Sequence, residues 1–206
     1  MTEAIRTLIE ALAELFDGEG RPGGDEAAAA LRQHRDDPLH EVGATTGLCA
    51  KLRPLCDAAD ALPTAKLVGE LWEHLPWHHS GTRDGRIPWE VAQGMLTAEI
   101  LGESGPLKCD TCRVGLFAQT AGVEYLTRRH AAEETFITLA GHGEWRVLPG
   151  DWYAVGPGGI AHHPSMAEHQ SRTRERANLM AWRWTGDIGW SSYKFDYETT
   201  GEAGTA

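Results

Sequence analysis

Short segments rich in β-branched and aromatic residues, separated by Gly, Pro and Asp turns, fill most of the chain beyond residue 94. Their near-regular spacing is typical of antiparallel β-sandwiches and barrels. We therefore predict an antiparallel barrel as the main body of the protein. The segments are MLTAEIL, CRVGLFAQ, VEYLTRRH, EETFITLAG, GEWRVL, DWYAVG, HQSRTR, ANLMAWRW and SYKFDY.

The N-terminal part of the chain has a different periodicity. Between Thr2 and Phe16, apolar residues recur at helical spacing, and the glycine-rich stretch 17–24 then ends the pattern. Further helices are predicted over residues 25–36, 46–61 and 63–74. We therefore expect a helical region (1–80) that packs on the barrel or at a dimer interface, the barrel itself (81–198) and a flexible tail (199–206).

Charge and hydropathy exclude several classes of partner. The formal net charge of −11 disfavours nucleic acids and anionic membrane surfaces. No stretch approaches the length of a transmembrane helix, and Glu3, Arg6, Glu10 and Glu14 interrupt the apolar N-terminus as a signal peptide would not. We expect a cytoplasmic protein with a small-molecule partner, no nucleic acid and no membrane, and a homodimer is compatible with the helical region.

Cys109 and Cys112 form a CDTC motif, which could belong to a zinc site or a redox pair. No second pair has zinc-site spacing, and no βαβ pattern surrounds the motif. We interpret both as buried, reduced cysteines that behave as small apolar residues.

Three residues in two motifs have the character of metal ligands. His130 and Glu134 lie four apart in YLTRRHAAEETF, and His169 ends HHPSMAEH. A hairpin would aim His130 and Glu134 into one pocket, and His169 would come from a later strand. Two imidazoles and a carboxylate suit a divalent first-row metal and leave coordination positions open. The same spacing also fits three ordinary polar residues at strand ends.

The order of motifs between Gly122 and Gly186 resembles the cupin family of dimethylsulfoniopropionate lyases. It comprises a His-containing strand, AEE, an aromatic residue, L-x-G, a tryptophan, PGD, HHPSMAEH and W-x-W-x-G. The resemblance implies a mainly β fold with some α: a cupin β-barrel, or double-stranded β-helix, preceded by a helical region. It also implies one divalent metal ion (Zn, Fe, Mn, Co or Ni), held by His130, Glu134 and His169.

The activity implied by the resemblance is cleavage of dimethylsulfoniopropionate into dimethyl sulfide and acrylate, through loss of the proton α to the carboxylate. The substrate would be a small molecule with a carboxylate and a sulfonium group. Two alternatives stay open because one fold hosts many chemistries. They are a different metal-dependent cupin enzyme, such as an Fe(II) oxygenase, and a non-catalytic cupin that binds a small molecule.

Two positions depart from the family motif HxHxxxExY. Arg128 replaces the first histidine, and Phe136 replaces the tyrosine, whose hydroxyl the family is thought to use as a base or metal ligand. Arg128 either binds the substrate carboxylate with its fork of donors, or points to solvent and leaves a weakened metal site. Phe136 would line the substrate site without contributing a hydroxyl.

Tyr125 and His163 are the candidate general bases. Strict strand alternation places Tyr125 on the opposite face from His130, so it reaches the site only through a bulge or bend. His163 follows His162 directly, and one of these two neighbours must face outward on an extended strand. An imidazole already titrates near neutral pH, which suits proton transfer.

Trp182 and Trp184 share one face of the strand ANLMAWRW. Their indole rings could hold a sulfonium group by cation–π attraction, or they could be ordinary core residues. The resemblance favours cation–π binding of a sulfonium group, so we predict that both tryptophans contribute to substrate binding.

Overall fold

A computed structural model describes residues 2–42, 51–80 and 87–195. Its helices are α1 (Thr2–Asp17), α2 (Pro22–His34), α3 (Pro63–Leu71) and α4 (Trp89–Ala92), with short 3-10 turns at Arg53–Asp57, Trp72–His74 and Trp190–Ser192. The strands are β1 (His78–His79), β2 (Met95–Leu101), β3 (Arg113–Gln119), β4 (Glu124–Arg129), β5 (Ala132–Gly141), β6 (Gly143–Val147), β7 (Tyr153–Val155), β8 (Ile160–His163), β9 (His169–Arg172), β10 (Asn178–Gly186) and β11 (Lys194–Phe195).

The strands form two antiparallel sheets. One has the order β1-β2-β3-β10-β5-β8, and the other has the order β11-β4-β9-β6-β7. Aromatic residues of both sheets form one apolar cluster between them, including Phe136 and Trp182 from the first and Tyr125 and Trp145 from the second. The fold is therefore the mainly β, cupin-type barrel with N-terminal helices that the sequence predicts.

Alternation along β10 divides the interior into two apolar regions. Met180, Trp182 and Trp184 face the space between the sheets, whereas Leu179 and Ala181 belong to the cluster that includes the helices. Helices α1 to α3 therefore cover the other face of the first sheet. The helical region shares a hydrophobic core with the barrel.

A buried ion pair joins the α1–α2 turn to β10. Arg183 donates to both carboxylate oxygens of Glu19, at 2.7 Å and 2.6 Å, and neither side chain is exposed to solvent. Gly23 allows this close approach, because a Cβ there would lie 2.4 Å from the guanidinium of Arg183. The turn thus anchors the strand that carries Trp182 and Trp184.

Several local predictions need correction. The prediction of a helix over residues 46–61 is wrong. In the described part of this stretch, residues 51–61, the structure has a 3-10 turn at Arg53–Asp57 and no α-helix. The turn begins at Arg53, and Pro54 lies in its first positions, where the missing N–H of proline costs no hydrogen bond. Strands β1 and β8 were not predicted, because their histidines lack the β-branched and aromatic character that marks a strand.

Strand β1 extends the first sheet although it lies inside the expected 1–80 helical region. The boundaries of the three expected regions remain predictions, and residues 199–206 lie outside the described part of the chain. Across the described residues, no helix combines the length and apolar character needed to cross a lipid bilayer.

Candidate metal centre

The candidate ligands meet where the chain crosses from one sheet to the other. His130 directly follows β4, which pairs with β9 and β11, whereas Glu134 lies on β5, which pairs with β10 and β8. The expected β4–β5 hairpin is therefore wrong. Both side chains still converge, because the two sheets face each other and their inner surfaces share one interior.

Hydrogen bonds to the main chain fix the orientation of both histidines. The Nδ1 of His130 lies 3.0 Å from the carbonyl oxygen of Ala132, and the Nδ1 of His169 lies 2.9 Å from that of Ala167. A carbonyl can only accept, so Nδ1 carries a proton in each ring, and in the neutral imidazole Nε2 then has a free lone pair. Both Nε2 atoms are buried and have no hydrogen-bond partner among the described residues.

Glu134 brings a carboxylate oxygen to the same point. Its Oε2 lies 3.5 Å from Nε2 of His130 and 3.3 Å from Nε2 of His169. Two ligands at 2.0–2.1 Å from one tetrahedral ion are about 3.4 Å apart, so these separations suit a zinc-sized ion. The three ligand atoms all lie within 4.8 Å of one another. Three lone pairs that face each other without a proton between them favour a bound cation.

The ionisation states agree with this donor set. Burial alone would raise the pKa of Glu134, but His130 and the hydrogen bond from Nδ1 of His163 hold it well below its usual range. Burial lowers the pKa of His169, which His163 and Arg128 lower further. The carboxylate is therefore charged and the His169 imidazole neutral, as metal binding requires.

A cavity of about 400 Å³ opens beside these ligands. Glu134 and Arg128 lie in its wall, so a molecule inside it would contact the candidate metal centre. Its aromatic lining comes from both sheets and from the segment after β10: Phe117, Tyr125, Phe136, Trp182, Trp184, Trp190, Tyr193 and Phe195.

Arg128 is buried in this cavity wall, so the hypothesis that its side chain points to solvent is wrong. Its side chain is 2% exposed, and its guanidinium lies 3.9 Å from the ring centroid of Tyr125. Within the described residues it forms no ion pair. Nη1 makes a long contact of 3.5 Å with the Tyr125 carbonyl, and Nη2 has no hydrogen-bond partner in the part of the chain that the structure describes. A buried cation without an acid partner is costly, which favours an anionic ligand beside it.

A bulge in β4 brings Tyr125 into the same cavity. Tyr125 pairs with Ser171 and Arg128 with His169, so β4 contains one residue more than β9 between these pairs. The Tyr125 hydroxyl lies 3.2 Å from that of Tyr193. The sequence does not single out Tyr193, since a single tyrosine just before a short C-terminal strand carries no motif.

His163 lies behind the ligands and is not part of the cavity wall. It is completely buried, and its Nδ1 lies 2.9 Å from Oε2 of Glu134. Burial lowers the pKa of His163 to about 4, despite the opposing effect of Glu134. The outward neighbour is His162, whose Nδ1 lies 3.1 Å from the hydroxyl of Thr135. His163 thus contacts a candidate ligand. Its side chain does not line the cavity, and its role as the general base remains a prediction.

Phe136, Trp182 and Trp184 all line the cavity, as a role in substrate binding requires. Phe136 lies 4.6 Å from Trp145 between ring centroids and provides no polar group. The Trp182 indole donates to the carbonyl of Leu116 at 3.1 Å, and that of Trp184 donates to Oε1 of Glu134 at 2.6 Å. The substrate-binding roles of the three remain predictions.

Cys109 and Cys112 are buried free thiols, as predicted. Burial is the main cause that raises the pKa of Cys112 above its ordinary value. Both lie outside the cavity wall that contains Glu134.

The model of the dimethylsulfoniopropionate (DMSP) lyase family matches residues 25–181. The chain belongs to the DMSP lyase family. A relative named dimethylsulfoniopropionate lyase DddQ, from Ruegeria pomeroyi, is 33% identical over 89 residues. This aligned segment covers 43% of the present chain and 44% of that relative.

Two solved structures of DMSP lyases share the fold over nearly the whole chain. The crystal structure of DddQ from Ruegeria pomeroyi has a TM-score of 0.69 at 21% identity, covering 96% of this chain and 98% of the other. A structure from a study of the DMSP lyases RdDddP and RnDddQII has a TM-score of 0.65 at 17% identity, with coverages of 95% and 99%. The family fold thus includes the N-terminal helices.

Arg128 and Phe136, the two departures from the family motif, both lie in the cavity wall. Arg128 stands where the family resemblance places a metal histidine, and its guanidinium stays inside the cavity. Phe136 keeps the aromatic ring of the family tyrosine at the same wall and lacks the hydroxyl.

Proposed function

We propose that this protein is a metal-dependent carbon–sulfur lyase that cleaves DMSP into dimethyl sulfide and acrylate. The observation that carries the proposal is the convergence of His130, Glu134 and His169 beside a cavity whose wall contains the buried Arg128, which forms no ion pair with any described residue. Membership in the DMSP lyase family supports the substrate.

A divalent ion bound by His130, Glu134 and His169 would act as a Lewis acid toward the substrate carboxylate. Arg128 faces the same cavity and would hold that carboxylate through charge-assisted hydrogen bonds. Together they would orient the carboxylate and acidify the adjacent carbon. Trp182 and Trp184 would line the space for the dimethylsulfonium end of the molecule.

Tyr125 is our proposed base, because its hydroxyl lies in the cavity wall whereas His163 does not. The phenolate oxygen would take the proton from the carbon α to the carboxylate. The electrons of that C–H bond form the double bond to the β carbon, and the C–S bond breaks with its electron pair leaving on sulfur. Dimethyl sulfide and acrylate result, and Tyr125 ends as the phenol.

A headspace assay for dimethyl sulfide, combined with elemental analysis of the purified protein, tests this function. Dimethyl sulfide and acrylate should form in equal amounts, without oxygen, and a chelator should stop their release. An oxygenase would instead consume oxygen, and a binding protein would release no product. Absence of dimethyl sulfide from metal-loaded protein would refute the lyase.

Arg128→Ala is expected to weaken carboxylate binding about tenfold to a hundredfold, as loss of a charge-assisted hydrogen bond worth about 1.5–3 kcal/mol predicts. Calorimetric titration with acrylate measures this effect. The matched control is Arg129→Ala, because Arg129 is exposed and pairs with Glu168 at 2.7 Å on the outside.

Arg128→His provides the sharper comparison, since it restores the first histidine of the family motif. It should tighten metal binding while it weakens carboxylate binding. If Arg128→Ala binds acrylate as tightly as the parent protein, the guanidinium does not hold the substrate.

Phe136→Tyr is expected to raise turnover, because it restores the hydroxyl that the family motif contains. A positioned acid–base group typically contributes roughly 10²–10⁴-fold to rate, so the gain should be visible in the headspace assay. Phe117→Tyr is the control, since it adds a hydroxyl elsewhere in the same cavity wall. A parent rate equal to that of tyrosine-bearing relatives would contradict the prediction.

We further propose that the metal is one of Zn, Fe, Mn, Co or Ni, since two imidazoles and a carboxylate accept any of these ions. The cytoplasmic location and the homodimer expected from the sequence remain predictions. Size-exclusion chromatography with light scattering would determine the assembly.

A further inference from the structure

Glu134 lies in the middle of a row of three side chains on adjacent strands. Across the first sheet, Trp184 of β10 pairs with Glu134 of β5, which pairs with His163 of β8. Trp184 donates from Nε1 to Oε1 at 2.6 Å, and His163 donates from Nδ1 to Oε2 at 2.9 Å. All three side chains are almost completely buried. Each carboxylate oxygen therefore has its own donor.

We propose that Trp184 and His163 are positioning residues that hold Glu134 as a single-oxygen metal ligand. This inference rests on the proposed metal centre. Oε2 faces the Nε2 atoms of His130 and His169, whereas Oε1 is engaged by the indole. A carboxylate without this restraint can rotate and bind an ion through both oxygens. The second oxygen would then occupy a coordination position that the substrate needs.

The hydrogen-bond chemistry of His163 supports this role. A carboxylate accepts, so Nδ1 of His163 carries the proton and cannot take one from a substrate. Its ring stacks on that of His169 with 4.0 Å between centroids and an angle of 6°. One imidazole thus orients a carboxylate ligand by hydrogen bonding and a histidine ligand by packing. Groups that orient metal ligands in this way commonly change metal affinity when they are replaced.

Trp184→Phe tests the restraint on Oε1 by removing the indole N–H while keeping an aromatic ring. The probe is Co²⁺ alone, added to the metal-free full-length protein. When the carboxylate binds through both oxygens, the coordination number rises, and the visible absorption of Co²⁺ should weaken. Trp182→Phe is the control for this spectrum, because its indole bonds to the Leu116 carbonyl and not to Glu134.

Replacing His163 tests the restraint on Oε2. His163→Leu is expected to weaken Co²⁺ binding about 10- to 100-fold in competition with a chromophoric chelator. His163→Asn should restore most of this affinity, because its amide N–H₂ can donate from nearly the same place as Nδ1. His162→Leu is the matched control, since that ring lies on the other side of β8 and contacts Thr135.

Glu134→Ala separates failure of this inference from failure of the metal centre. If Glu134→Ala leaves Co²⁺ binding unchanged, the proposed metal centre is wrong. If Glu134→Ala abolishes binding but both Trp184→Phe and His163→Leu behave as the parent, the positioning role is wrong.

One measurement on the parent protein does not depend on whether the variants fold. Among the indole N–H signals of its eight tryptophans, one should be shifted strongly downfield and protected from solvent exchange by the short bond to Glu134. A ¹H–¹⁵N spectrum of the metal-loaded protein without such a signal would also overturn the proposal.

Discussion

Glu134→Ala is expected to leave the purified protein without stoichiometric metal and without measurable dimethyl sulfide release. Glu134 is the only charged member of the three candidate ligands, and its Oε2 lies within 3.5 Å of both histidine Nε2 atoms. Without it, two imidazoles remain, too few for a stable zinc-type site. Elemental analysis and the headspace assay measure the two effects.

His130→Ala and His169→Ala should behave in the same way, with the fold retained by circular dichroism. The control is His142→Ala, because His142 is half-buried, contacts Arg176 and lies away from the ligands. Unchanged metal content in all three ligand variants would place the metal elsewhere.

Tyr125→Phe is expected to lower kcat by roughly 10²–10⁴-fold, the typical contribution of a general base, with little change in metal content. The ring and its packing against Phe117 and Phe195 are kept, so only the hydroxyl is removed. Tyr193→Phe should have a smaller effect, because it removes the hydrogen-bond partner of Tyr125 and leaves the proposed base in place.

The pH profile supplies an independent test of Tyr125. Burial raises the pKa of Tyr125 above its ordinary value, although Arg128 and the hydrogen bond with Tyr193 oppose this effect. The base must be ionised to accept a proton, so kcat/KM of the parent should rise with pH throughout the range below that pKa. Tyr125→Phe should lose this rise. A variant that keeps both the parent rate and the parent profile would exclude Tyr125 as the base.

The overall fold class follows from local patterns in the sequence. β-branched and aromatic segments between turns predicted the antiparallel barrel, and periodic apolar residues predicted α1, α2 and α3. These features depend on local spacing, because strands and amphipathic helices each require a fixed period of apolar residues. The candidate ligands His130, Glu134 and His169 were found in the same way, since their types and motifs mark them before any contact is known.

The contacts of these residues depend on the tertiary structure. The bulge in β4 turns Tyr125 into the cavity, and the crossing between sheets, in place of a hairpin, brings His130 to Glu134. Neither follows from residue types, because strand pairing depends on partners far away in the chain.

The contacts of His163 and Trp184 with Glu134 likewise come from the register of three strands distant in sequence. Only the folded chain shows that both side chains donate hydrogen bonds to Glu134, whereas the sequence predicts a base and a substrate contact. The same holds for Glu19 and Arg183, which are 164 residues apart and pair in the interior. Sequence spacing determines which face of a strand a side chain occupies, but the packing of sheets and helices determines what it meets there.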